Sequence, residues 1–134
     1  MKRFFLLTLA SAAFLGASAA PVKTYEVKSP DGRLALVLTA GERLSFTVAR
    51  DGETLVAPSE MALTLSTGEV LGESPRVRSA RRRAVTETID APLYRQSRFD
   101  AAYNELDLRL RGDYGILARA YDDGVCYRFY TERD

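Results

Sequence analysis

The 134-residue sequence has no histidine, no tryptophan and one cysteine, and each shortage removes a class of chemistry. Without histidine there is no Ser-His-Asp arrangement, no imidazole acid–base catalysis and none of the commonest zinc ligands. A lone cysteine, Cys126, forms neither an internal disulfide nor a metal-binding cluster, so the fold rests on its apolar core. With no histidine to act as its base, Cys126 reads as a small buried residue and not as a nucleophile. Glycine-rich phosphate motifs of the GxGxxG and GxxxxGK[ST] kinds are absent. Asp122-Asp123-Gly124 lacks the downstream glutamate of an EF-hand loop and reads as a turn, with Gly124 supplying a positive φ.

Neither sign of charge predominates. The chain carries 19 Lys and Arg against 18 Asp and Glu; setting aside Lys2 and Arg3 of the first twenty residues, which hold no acid, leaves 17 against 18. No field for nucleic acid or a membrane surface follows. The apolar run Phe4 to Leu15, preceded by Lys2-Arg3 and followed by Ala17-Ser18-Ala19, has the layout of a secretory signal cleaved before Ala20. It is shorter than the ~18 apolar residues that a membrane span needs. The expectation is a signal peptide over residues 1–19 and an exported, periplasmic remainder with no membrane attachment after cleavage.

From there the pattern is that of strands. Thr24 to Val27 open it, Ser29-Pro30-Asp31-Gly32 has turn chemistry, and Leu34, Leu36 and Leu38 alternate with Ala35 and Val37. Leu44, Phe46 and Val48 form the next alternation, Asp51-Gly52 marks a hairpin, and Pro58 is expected to end the strand over Thr54 to Ala57. Met61, Leu63 and Leu65 begin another, closed by Thr67-Gly68.

Arg76 to Ile89 reads as a long solvated edge strand. Its Arg81-Arg82-Arg83 run is no polyanion site, because three adjacent strand residues do not share a face. Ile89 to Ala102, with Pro92, reads as a loop. In Tyr103 to Leu110, Leu106, Leu108 and Leu110 point one way and Asp107 and Arg109 the other; Ile116 to Tyr121 and Val125 to Tyr130 then flank the Asp122-Asp123-Gly124 turn. Short alternating strands of this kind indicate an all-β antiparallel sandwich or barrel, and the strand pattern still runs close to Asp134, as expected of the first part of a larger domain.

Tyr103-Asn104-Glu105-Leu106, followed by Arg119-Ala120-Tyr121-Asp122-Asp123-Gly124-Val125-Cys126-Tyr127-Arg128-Phe129, resembles the N-terminal domain of glycoside hydrolase family 97, a family of bacterial α-glucosidases and α-galactosidases. Ser29-Pro30-Asp31-Gly32 and the Pro58-Ser59 to Leu65 stretch extend the resemblance. Ala62 stands where the family usually has Gly, Tyr121 where Phe is common and Cys126 where Ala is common.

The resemblance implies an antiparallel β-sandwich of the galactose-mutarotase type, incomplete here, with residues 20–134 as its first part. It also implies a catalytic (β/α)8 barrel following this domain that holds the catalytic carboxylates and most ligands of a calcium ion, and an oligo- or polysaccharide substrate. Glycoside hydrolysis needs two carboxyl groups across the scissile bond. Glu105 is the one acid here in a distinctive motif; the plainer alternative is a polar residue starting a strand. On the resemblance Asn104 and Glu105 line the active-site pocket at most, and this chain binds no calcium alone.

Two alternatives stay open: a free-standing carbohydrate-binding module and a structural β-domain. Sugar-binding faces offer aromatic platforms. The exposed candidates by sequence are Tyr94, Tyr103 and Tyr114.

Overall fold

Two-residue alternation becomes two four-stranded antiparallel sheets in the computed structural model, which describes residues 21–93, 95 and 97–133. The first sheet is a meander of β1 (Lys23–Lys28), β2 (Leu34–Ala40), β3 (Leu44–Arg50) and β4 (Glu53–Glu60). A short pair, β5 (Leu63–Thr64) and β6 (Val70–Leu71), crosses to the second sheet. That sheet is again a meander, of β7 (Val77–Asp90), β8 (Arg98–Leu110), β9 (Tyr114–Ala120) and β10 (Val125–Thr131). The expected all-β antiparallel architecture is what forms. The leader reading of residues 1–19 lies outside the described residues.

The sheets face one another through the alternating apolar positions. Leu34, Leu36 and Leu38 of β2 and Leu44 and Val48 of β3 share one core with Leu106, Leu108 and Leu110 of β8 and Ile116, Ala118 and Ala120 of β9. Each fully buried leucine or isoleucine stabilises by about 1.5–3 kcal/mol relative to exposure. Phe46 of β3 meets Tyr127 of β10 across the gap, with ring centroids 5.2 Å apart.

Turn chemistry fixes the hairpins. Asp51 and Gly52 both take left-handed φ, 51° and 84°, the pair a two-residue hairpin loop with right-handed twist requires. Gly72 holds φ 104° where any Cβ would overlap the carbonyl oxygen of Met61. That close approach lets Leu44 pair on both sides, its N–H donating to Gly72 O and its carbonyl accepting from Met61 N–H, each at 2.8 Å.

Four expectations are corrected. Pro58 does not end its strand: β4 runs on to Glu60, because it is an edge strand and Pro58 falls where the register with β3 shifts between Phe46 and Val48. Ile89 to Ala102 is loop only at its centre, since β7 continues to Asp90 and β8 begins at Arg98; the ribbon is held by Thr88 Oγ1 to Asp100 Oδ1 at 2.8 Å and by Arg98 with Asp90. The third is Met61 to Leu65, where only Leu63–Thr64 is strand. Gly124, finally, takes no left-handed φ; its turn closes through Tyr121 N–H on the Gly124 carbonyl at 2.8 Å.

Candidate functional site

With Leu106, Leu108 and Leu110 turned into the core, the odd-numbered residues of β8 stand on the opposite, outer face of the second sheet. There Glu105 lies between Arg83 of β7 and Arg119 of β9 in register. Arg83 Nε donates to Glu105 Oε1 at 2.5 Å and Arg119 Nε to Oε2 at 2.7 Å. Glu105 is only 2% exposed although no second layer covers this face. It is therefore not a solvated polar residue starting a strand, as the plainer reading had it, but a buried one in mid-strand. Burial pushes its pKa up, but the two guanidinium hydrogen bonds and their charge outweigh that and hold the carboxyl below the ordinary 4.5. A carboxylate kept ionised, with both oxygens occupied, suits neither a general acid nor a nucleophile.

Tyr103, one outward position away, is 2% exposed. The Arg119 guanidinium lies 4.5 Å from its ring centroid, the Tyr121 ring packs at 4.9 Å, and its hydroxyl donates to Glu87 Oε1 at 3.0 Å. Burial first, and then the Glu87 bond, raise its pKa above 10.0. Tyr114 is buried as well, its hydroxyl accepting the Gly72 N–H at 3.2 Å. Neither is the exposed platform the sequence suggested: one ring is roofed by an arginine, the other spent closing the end of the sandwich. Tyr94 lies outside the described residues. Cys126, expected to be buried, is exposed, because it points outward from β10 where nothing packs over the sheet.

Asn104 turns inward, and its Nδ2 donates to the carbonyl oxygen of Lys28 in β1 at 2.8 Å. Arg82, also inward, reaches Glu26 O at 2.9 Å. These two bonds tie the rim of one sheet to the other beside a cleft of about 250 Å³, bordered by Glu26, Val27, Lys28, Arg82, Asn104 and Glu105. Both sequence-selected residues thus border one cleft, yet each has its polar group engaged within the chain. Sequence reading missed Arg83 and Arg119, whose signal is a register with Glu105 that appears only once the strands are paired. Among the described residues no group of three or more His, Cys, Asp or Glu side chains is placed to hold a metal ion.

Residues 27–133 match the sequence family described as glycosyl-hydrolase 97 N-terminal. Over 110 residues the chain is 37% identical to a retaining alpha-galactosidase of Bacteroides thetaiotaomicron, covering 82% of this chain and 17% of that protein. Among solved structures, a glycoside hydrolase family 97 enzyme from Pseudoalteromonas sp. strain K8 in complex with acarbose superposes with a TM-score of 0.74 at 16% identity. That match covers 82% of this chain and 18% of the other. A beta-arabinopyranosidase gives a TM-score of 0.73 at 18% identity, over the same shares of the two chains. At these identities the structural matches speak to the fold alone.

Proposed function

The chain belongs to the glycosyl-hydrolase 97 N-terminal family, and from that premise we propose that it is the non-catalytic leading portion of an exported α-glycosidase, packing on a catalytic barrel and helping to shape its carbohydrate pocket. The observation that carries the non-catalytic part is the state of Glu105, ionised and with both carboxylate oxygens clamped by Arg83 and Arg119. The length relationship supports its being one portion of a larger enzyme, since the chain spans 17% of the alpha-galactosidase it resembles. In this reading the hydrolytic carboxylates and the calcium ligands belong to polypeptide beyond these residues, the substrate is an α-linked oligo- or polysaccharide, and residues 1–19 direct the protein to the periplasm.

Sequencing the coding DNA beyond the Asp134 codon tests this. An open frame of several hundred codons, encoding alternating strands and helices with acids at strand ends, is the expected result. A stop codon directly after it would transfer the function to a binding or structural module.

A further inference from the structure

The outer face of the second sheet carries more than the Glu105 clamp. In register across it lie Arg83, Glu105, Arg119 and Cys126, and beside them Arg81, Asp107, Leu117 and Arg128. Four guanidiniums therefore surround two carboxylates, a local excess of two positive charges in a chain whose residues after the first twenty carry 17 basic against 18 acidic. Arg83 and Arg119 each use the ε N–H on Glu105, which fixes the planes of the groups; the η nitrogens of the exposed Arg83 are left for another acceptor, whereas Arg119 also engages Tyr121 and lies over the Tyr103 ring. Arg81 and Arg128 form no ion pair among the described residues. Between the arginines the surface is hollowed: one depression of about 400 Å³ is bordered by Arg81, Arg83 and Leu117 together with the carboxylates Glu105 and Asp107, and a second of about 170 Å³ by Leu117, Arg119 and Arg128. Leu117, half-buried, is the apolar floor common to both.

We infer that this face docks an acidic protein surface: an apolar side chain set on Leu117 with carboxylates to either side engaging the arginines. The inference concerns this face alone and goes beyond the glycosidase reading. Arginine around an apolar centre is the composition of a protein interface, and a planar guanidinium recognises a carboxylate through two parallel hydrogen bonds. A single small anion fits less well, because in the middle of the face it would meet Glu105 and Asp107. The row from Arg81 to Arg128 crosses four strands, about 14 Å at the usual strand spacing, so the carboxylates must be carried on a polypeptide that spans it.

The test is fluorescence anisotropy of labelled hexaglutamate with the 134-residue chain at low salt, against hexalysine, inorganic phosphate and a single-stranded oligonucleotide. The expected result is saturable hexaglutamate binding that weakens with salt, is not displaced by phosphate, exceeds oligonucleotide binding, and falls at least tenfold in Arg81→Ser/Arg128→Ser. Those two side chains are exposed, so circular dichroism should show the fold retained. A second variant, Leu117→Asp, should also abolish binding by placing like charge on the floor. Absence of hexaglutamate binding, equal binding by the double variant, displacement by phosphate or tighter binding of the oligonucleotide would each overturn the inference.

Discussion

The backbone N–H of Asp31 donates to Asp122 Oδ1 at 2.9 Å, joining the turn between β1 and β2 to the turn between β9 and β10. Two of the sequence motifs that resemble the family are therefore hydrogen-bonded to one another, one from each sheet. The Asp31 turn is itself closed by Ser29 Oγ on Asp31 Oδ1 at 2.5 Å and by Arg33 N–H on the same oxygen at 2.9 Å. Asp122→Ala should lower the melting temperature by a few degrees, while Asp122→Asn, which keeps an acceptor, should restore most of it. An unchanged melting curve for the alanine variant would show that the two turns are held together by other means.

Removing the carboxylate of the clamp should cost more. Glu105→Ala leaves Arg83 and Arg119 facing each other without their common acceptor, an expected loss of about 1–3 kcal/mol in denaturant unfolding. The lost attraction is partly screened by solvent on the Arg83 side, whose side chain is 66% exposed. The pH dependence has a definite sign. With the folded-state pKa below the ordinary 4.5, the unfolded chain takes up the proton first, so this stabilisation is complete above about pH 4.5 and lost as pH falls through the folded value. Wild-type unfolding free energies should thus decline more steeply in acid than those of Glu105→Gln, and parallel curves would remove the clamp from the account.

At Gly72 the backbone leaves no room for substitution. Gly72→Ala combines a φ of 104° with overlap of Met61 O, so a loss of about 1–3 kcal/mol or more is expected. Gly68→Ala, with left-handed φ but open space around it, should cost less. Equal costs would mean that the contact with Met61 relaxes freely.

Tyr130 offers a probe at the alkaline end. Burial, and then its bond to Asp107 Oδ1, push its hydroxyl up to about 12 from 10.0. Its contribution to stability is present below about pH 10 and is lost as pH rises toward 12. Tyrosinate absorbance should show a late-titrating component, to which buried Tyr103 and Tyr114 also contribute, and that component should shrink in Tyr130→Phe. Gly115→Ala should bring that titration down, because a methyl group there would meet the Tyr130 ring and displace it from Asp107.

Most of the architecture was legible because one face of each central strand is fully buried: the alternation of Leu34, Leu36 and Leu38, or of Leu106, Leu108 and Leu110, reports a sheet directly. It failed where neither face is buried. The distal ribbon of β7 and β8, with Ile89 paired to Phe99, is exposed on both sides, so no apolar period marks it. Pro58 misled because its tolerance depends on an edge and a register shift, both properties of pairing. The Glu105 motif was visible, but its meaning lay in Arg83 and Arg119, 22 and 14 positions away, which only strand register brings together. Tyr103 and Tyr114 are buried by an arginine and by a glycine loop, neither of which leaves a periodic trace.

Because each sheet is a meander of sequence neighbours, the first can pair completely once Glu60 has been made, whereas the β9 residues that cover its leucines end at Ala120. At roughly 5–20 residues per second of synthesis, the sixty intervening residues take about 3–12 s. For that interval a growing chain carries a finished sheet with one greasy side and no lid, and whatever keeps the nascent polypeptide from sticking must act there, before its second half exists.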